Sequence, residues 1–279
     1  MHKDYNREFQ IIDTKEKAYV LGLFYADGNI GSNDIQVRIT LKEADSSLLY
    51  DIAKYFPFFY FHSKPKALEL GCYKRELQED FISNGCYSRK SYENRDNLRI
   101  LYLSEELISH FIRGYFDGDG GCTLSLKENT GKKTQKRVYI YSVSLNLLND
   151  IKGILFNKGI ESCISMTDKS SMKRATMNIY KLTINTNSYK NFNAFLYKDA
   201  TLFMERKKIL FDKIIEETNF FIAKNTPNCK FCNSKRVVCD GWNYYKVKRQ
   251  NYLCKDCGRH FSAPLNSDIQ NEEDELLED

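Results

Sequence analysis

Residues 18–30 (AYVLGLFYADGNI) return 92 positions later, at residues 110–122, as HFIRGYFDGDGGC, with Gly22 matching Gly114 and Asp27 matching Asp119. An internal duplication of this kind dictates two similar units, because each copy carries the same local preferences. Both copies read as helices. Asp13 with Glu16 is expected to form a capping box ahead of the first. Ser104, followed by Glu105 and Glu106, supplies an N-cap and acids suited to the positive end of the second. Gly28 and Gly120 stand where a left-handed C-cap is expected. Small residues recur four apart, Ala18, Gly22 and Ala26 in one copy and Gly114 and Gly118 in the other, which places them on one helix face. Faces of small residues let two backbones approach closely. The two helices are therefore expected to pack on each other along these faces, and a parallel arrangement brings Asp27 and Asp119 together at their carboxyl ends.

Beyond the first helix, residues 35–42 alternate strictly, with Ile35, Val37, Ile39 and Leu41 on one side and Gln36, Arg38, Thr40 and Lys42 on the other, the pattern of a half-buried strand. An amphipathic stretch at 45–55, strand-like residues at 58–72 and a helical stretch at 74–84 complete the first half. The second half repeats this order, with strands expected at 122–127, 137–145 and 177–185, helices at 147–158 and 189–196, and a long helical run at 200–217. In the middle strand Tyr139, Tyr141 and Val143 compete with Val138, Ile140 and Ser142 for the inner face, and the pattern does not choose between them. The expected architecture is α+β. Its two repeats cover residues 1–103 and 104–217, and a linker at 218–228, broken by Pro227, leads to a cysteine-containing module at 229–265 and an acidic, disordered tail at 266–279.

Charge sharpens this division. The chain has 42 Lys and Arg against 37 Asp and Glu, but seven of the acids fall in residues 266–279, so the rest is strongly basic. Its apolar runs are far shorter than the roughly 20 residues that cross a bilayer, and the amino end shows no secretory pattern. A reducing, cytoplasmic setting is expected. Nine cysteines in such a setting need an explanation other than disulfides. Five (Cys72, Cys86, Cys122, Cys163 and Cys239) are scattered and read as idle thiols. The other four form two pairs, Cys229-x2-Cys232 and Cys254-x2-Cys257, the spacing of a four-thiolate site for one structural Zn²⁺. Basic residues, among them Lys246, Lys248 and Arg249, interleave there with aromatics, a composition suited to nucleic acid.

Two carboxylates meeting at two negative helix ends repel unless a cation lies between them. Oxygen ligands and a need for few protein groups favour Mg²⁺, two or three ions in all, and such a pair suits phosphodiester hydrolysis. The repeated motifs resemble those of LAGLIDADG homing endonucleases in their single-chain, two-repeat form, and the resemblance extends over residues 10–215. Residues 84–91 (NGCYSRKS) and 196–208 (LYKDATLFMERKK) resemble the segment before the family's second motif and its closing helix. The resemblance implies two pseudo-symmetric αββαββα units whose sheets form a saddle on double-stranded DNA, and cleavage of both strands leaving short 3′ overhangs. It assigns Asp27 and Asp119 as the metal-binding catalytic residues, with Lys90 and Lys207 as candidates for the basic residues that organise solvent near each metal. Tyr25 replaces, in the first motif, the Asp117 of the second. On this reading Gln36, Arg38, Thr40 and Lys42 face DNA, with Lys132, Lys133, Lys136 and Arg137 on the loop into the equivalent strand of the second repeat. The stretch YLCKDCGRHFS resembles the zinc ribbons of bacterial insertion-sequence transposases, which implies an accessory DNA-binding module and a bacterial or phage-encoded protein. A monomer is expected, with intron RNA as a further possible partner. The alternatives are an intron RNA maturase or a non-cleaving DNA-binding regulator on the same scaffold, and last a transposase-like protein, for which only the ribbon speaks.

Overall fold

In a computed structural model of the chain, helices α1 (Lys15–Asp27) and α4 (Ile108–Asp119) run side by side. The described residues are 4–31, 35–90, 95–100, 103–125, 135–167, 178–225, 227–243 and 249–263. The small residues set the spacing of this pair. A Cβ added to Gly22 would lie 2.0 Å from the carbonyl oxygen of Phe111, and one on Gly114 would lie 2.0 Å from that of Tyr19. One added to Gly118 would meet the Ala26 Cβ at 2.2 Å. Positions 19, 22 and 26 thus oppose 114, 111 and 118, a broadly parallel order in which both carboxyl ends lie together.

The helix ends differ from the sequence reading. The N-cap of α1 is Thr14, whose hydroxyl accepts from the Lys17 amide at 3.3 Å, while Asp13 pairs instead with the Lys17 ammonium at 2.7 Å. Ser104 opens a turn whose carbonyl accepts from Leu107 and Ile108, and the capping position of α4 is Leu107, without a side-chain bond. Gly28 and Gly120 are extended, with φ of −68° and −85°, not left-handed. Glycine is required there by crowding: a Cβ would meet the carbonyl oxygen of Phe24 at 2.6 Å or of Phe116 at 2.4 Å in the helix's own last turn.

Each motif helix begins an αββαββα unit. In the first, α1 leads to β1 (Asn29–Ile30), β2 (Val37–Lys42), α2 (Ser46–Tyr55), β3 (Tyr60–Lys64), β4 (Ala67–Cys72) and α3 (Arg75–Ser83). In the second, α4 leads to β5 (Gly120–Ser125), β6 (Gln135–Ser142), α5 (Leu145–Asn157), β7 (Ser162–Met166), β8 (Tyr180–Ile184) and α6 (Tyr189–Tyr197). The antiparallel sheets have matching orders, β1-β2-β4-β3 and β5-β6-β8-β7. Strand β7 has no counterpart in the sequence reading, because SCISM mixes small and apolar residues without clear alternation. In β6 the ambiguity resolves: Val138, Ile140 and Ser142 are buried, and Tyr139 and Tyr141 lie on the other side.

Both motif helices are buried almost all round, which is why Tyr19, Tyr25, Phe24, Phe111 and Phe116 can all be core residues. One continuous core joins the two repeats through them. The closing helix α7 (Glu205–Asn225) continues through residues 218–225, where the sequence suggested a linker. Two compact units result, residues 1–215 and 216–279.

The second unit contains β9 (Val237–Asn243), β10 (Arg249–Cys254) and β11 (His260–Ala263), in the antiparallel order β11-β10-β9. Its small core is Cys229, Val237, Tyr252, Cys254 and Phe261, with the Tyr252 and Phe261 rings stacked at 5.5 Å. No helix among the described residues is long and apolar enough to cross a membrane.

The helix contact makes a sharp prediction. Gly22→Ala and Gly114→Ala force a methyl into a backbone carbonyl and should each destabilise the protein by about 1–3 kcal/mol or more. Gly153→Ala, in the interior of α5 with nothing within 4 Å of the added methyl, should stabilise by about 0.5–1 kcal/mol. Urea unfolding of the three variants measures both signs at once.

Candidate metal and nucleic-acid site

The paired carboxyl ends of α1 and α4 present Asp27 and Asp119. The Asp27 side chain is exposed and Asp119 is partly so. The Asp27 carboxylate rests against Gly118, where an added Cβ would be 3.1 Å from its Oδ2, which places it one residue from Asp119 in the opposing helix. Burial and then the neighbouring Asp27 charge push the Asp119 carboxyl up to about 6, and burial also raises that of Asp27. Among the described residues, neither carboxylate has an ion-pair partner within 4 Å.

Lys90 and Lys207 lie beneath this pair, both buried. The Lys90 ammonium donates to the carbonyls of Phe24 (2.6 Å) and Gly28. The Lys207 ammonium donates to those of Phe116 (3.0 Å), Asp117 (2.6 Å), Gly118 (3.1 Å) and Gly120 (2.6 Å). Phe24 and Gly28 correspond to Phe116 and Gly120 across the 92-residue repeat, so each lysine grips the same two carbonyls of its own helix. Two cations thus occupy the negative ends of the two helix dipoles and add a second donor to the Phe24 and Phe116 carbonyls, which also accept from the Gly28 and Gly120 amides. Burial lowers the pKa of both ammoniums, while Asp27 and Asp119 act in the opposite direction.

Asp117, the residue that distinguishes the second motif, is buried and faces away from the paired carboxylates. Its Oδ2 accepts from the Tyr19 hydroxyl at 2.7 Å and from the Met204 amide at 2.8 Å. Met204 immediately precedes α7, so Asp117 fixes the helix start from which Lys207 reaches back. In the first repeat Tyr25 takes this position and donates to the carbonyls of Asn84 (2.8 Å) and Arg99 (3.2 Å), anchoring the segment that carries Lys90. Arg206, beside Lys207, forms a two-pronged pair with the buried Asp45 of the first repeat, at 2.6 and 3.0 Å. This latch was not legible in the sequence, since its partners lie 161 positions apart.

The outer faces of the two sheets have different chemistry. In the first, Arg38 is half-buried while Thr40 and Lys42 are exposed, and register places Glu69 beside Thr40. Glu69 is buried. Burial opposes its charge, but hydrogen bonds from Lys64 and Thr40 outweigh that and hold its pKa below the usual range. Strand β2 contains no acid, so its alternation offers no reason to expect one on this face. Gln36 is only 5% exposed, and its amide donates to the Tyr73 hydroxyl at 2.7 Å beneath the stacked Tyr60 and Tyr73 rings, so it is not displayed as Arg38 is.

On the second sheet Lys136 and Arg137 lie within β6, not on the loop before it, and strand alternation sends them to opposite sides. Tyr139 and Tyr141 share the outer face with Arg137. Lys181, missed from the sequence, lies 4.1 Å from the Tyr139 ring centroid and 5.4 Å from that of Tyr141. Lys132, Lys133, Lys246 and Lys248 lie outside the described residues, as does the side chain of Arg249.

In the second unit the four paired cysteines converge, with every Sγ within 4.8 Å of the others. Cys229 and Cys257 are 3.6 Å apart, as are Cys232 and Cys254. Four sulfurs at about 2.3 Å from a tetrahedral ion stand about 3.8 Å apart, so the set suits one soft cation far better than disulfides of about 2.05 Å.

Replacing Lys207 by Met removes the ammonium from four carbonyls and Lys90→Met removes it from two, of which Phe116 and Phe24 keep the Gly120 and Gly28 amides as donors. The expected losses are about 1–3 kcal/mol for each, larger for Lys207→Met, read by chemical unfolding.

The family model of the LAGLIDADG-like domain matches residues 106–196. Among solved structures, a point mutant of I-SmaMI is 12% identical, with 74% of this chain and 92% of that one covered and a TM-score of 0.51. Meganuclease I-SmaMI bound to uncleaveable DNA is 13% identical, with 74% and 91% covered and a TM-score of 0.50. The LAGLIDADG meganuclease I-AabMI bound to uncleaved DNA is 14% identical, with 73% and 91% covered and a TM-score of 0.47. No curated protein matches the sequence. At these identities the structural likeness is one of fold. Residues 106–196 of the second repeat thus match the LAGLIDADG-like domain, and the first compact unit has the two-repeat LAGLIDADG fold.

Proposed function

We propose that this protein is a site-specific, divalent-metal-dependent endonuclease that cuts both strands of a long DNA target, leaving short 3′ overhangs. The observation that carries this reading is the pair of accessible, mutually repelling carboxylates, Asp27 and Asp119, at adjoining helix ends. The donor set fits a hard divalent cation such as Mg²⁺, because it offers oxygen ligands that have no ion-pair partner among the described residues. Bound there, such cations would supply an activated water and stabilise the leaving oxygen of the scissile phosphodiester.

The chain's own residues then have distinct tasks. Asp27 and Asp119 hold the cations. Lys90 and Lys207 fix the last turn of each motif helix and keep positive charge behind the carboxylates, with their ammoniums committed to backbone carbonyls. DNA is read by the outer sheet faces, through Arg38, Thr40 and Lys42 on one side and Arg137 on the other, with the sheets forming the saddle. Arg can read base edges and Lys can hold phosphates. Lys132 and Lys133 of the second repeat, and separately Lys246, Lys248 and Arg249 of the ribbon, are further DNA contacts in this proposal, whereas Lys136 lies on the opposite side of β6 from Arg137 and Gln36 is covered by Tyr73. The fold shared with I-SmaMI, which has been solved bound to DNA, supports the choice of duplex DNA as substrate.

The four cysteines are assigned one structural Zn²⁺, and the ribbon an accessory role in DNA binding. Native mass spectrometry of the full chain should find one zinc, lost in Cys254→Ser. A wild-type protein without zinc removes this assignment.

The test of activity is cleavage of a randomised duplex library with Mg²⁺ by the wild type, Asp27→Asn, Asp119→Asn and the double variant. Cuts at one long site with 3′ overhangs are expected, abolished or reduced to nicking in each single variant. A wild type that binds duplex or intron RNA tightly and never cuts would replace the nuclease reading with that of a maturase or a DNA-binding regulator.

A further inference from the structure

The two cysteine knuckles of the second unit are built alike and finished differently. Each reads Cys-Lys-Xaa-Cys followed by a residue with positive φ, Asn233 at 59° and Gly258 at 69°. Each closes with a hydrogen bond from the amide of that residue to the carbonyl of its first cysteine, at 2.8 and 2.9 Å. Phe231 and Asp256 therefore occupy equivalent positions. Asp256 is consumed internally, accepting from Ser234 and from Arg236, the latter at 2.7 Å. Phe231 instead projects at the turn, 47% exposed, meeting the core ring of Phe261 edge-on, 6.5 Å between centroids.

Two cations converge on this exposed ring. The Arg259 guanidinium lies 5.0 Å from its centroid and the Lys230 ammonium 5.2 Å. The acids of the module are committed elsewhere, Asp256 to Arg236 and Asp240 to His260 at 2.8 Å. Among the described residues neither Lys230 nor Arg259 has an acidic partner. Like charges held at one ring repel, and an anion lying between them removes the repulsion. A ligand that adds a flat aromatic face to that anion matches both parts of the site. An acidic peptide supplies only the charge, and an intact duplex covers its base faces by stacking.

We propose that the first knuckle is a binding site for unpaired nucleotides, with Phe231 as the stacking surface and Lys230 and Arg259 as phosphate contacts. The proposal rests on the ribbon holding zinc, and is independent of whether the paired aspartates cleave DNA.

The test uses zinc-loaded full-length protein without Mg²⁺, titrated against a fluorescently labelled oligothymidine and a random-sequence duplex of equal length. Phe231→Leu should weaken single-strand binding by roughly tenfold, Phe231→Trp should retain it, and duplex affinity should be unchanged in both. Lys230→Ala combined with Arg259→Ala should reduce the salt slope for the single strand by about 1.4, two phosphate contacts. Zinc content, measured for every variant, establishes that the knuckle is intact. Unchanged single-strand binding by Phe231→Leu, or an equal loss for single strand and duplex, overturns the proposal. A wild type that holds no zinc overturns the ribbon reading, and this proposal with it, while leaving the cleavage assay to decide the endonuclease separately.

Discussion

Everything in the first unit depends on two helix backbones touching where Gly22 meets Phe111 and Gly114 meets Tyr19. Without side chains at those glycines, the helices approach until backbone meets backbone, and the dispersion contacts of the whole interface follow from that approach. The same contact sets the register. Because Gly118 lies on Ala26 and against the Asp27 carboxylate, the two acids are placed by packing that extends the length of the helices, and no loop is required to bring them together.

That placement creates an electrostatic problem and the fold contains a partial answer. Two negative helix ends and two carboxylates lie close together, and burial adds to the cost of charging them. Lys90 and Lys207 oppose this from behind, through the carbonyls of the last turns. They cannot cancel it, since their hydrogen bonds go to the backbone and the carboxylates remain without an ion pair among the described residues. The arrangement is rigid because each lysine is anchored differently: Asp117 and Met204 hold the start of α7, while Tyr25 holds the segment before Lys90. The Tyr25 and Asp117 asymmetry is therefore a difference in how two loops are tied down, at positions turned away from the paired acids.

The parts of this arrangement that a local pattern encodes were legible in the sequence. The 92-residue repeat, the small-residue faces and the strict alternation of β2 each follow from the position of residues within one element, and the cysteine spacing marks its ligand set in the same way. What could not be read depends on neighbours distant in sequence. Gln36 alternates as an outward residue, yet Tyr73 covers it from another strand end. Glu69 became part of an outer face only once β4 paired with β2. The glycines after each motif helix suggested a left-handed cap, but their actual need is room beside Phe24 and Phe116. Residues 218–225 carry no strong helix signal of their own and are helical as the continuation of α7.

The outer sheet faces carry one more consequence. Both repeats have the same strand order, but not the same surface: one presents Arg38 and Thr40 around a buried, ion-paired Glu69, the other Arg137 with Lys181 held over two tyrosines. A ligand touching both faces meets hydrogen-bonding charge on one half and aromatic bulk on the other. If the proposed duplex is bound across both faces, a pseudo-twofold scaffold of this kind is freed from palindromes, and each half of the site can drift in sequence without the other having to follow.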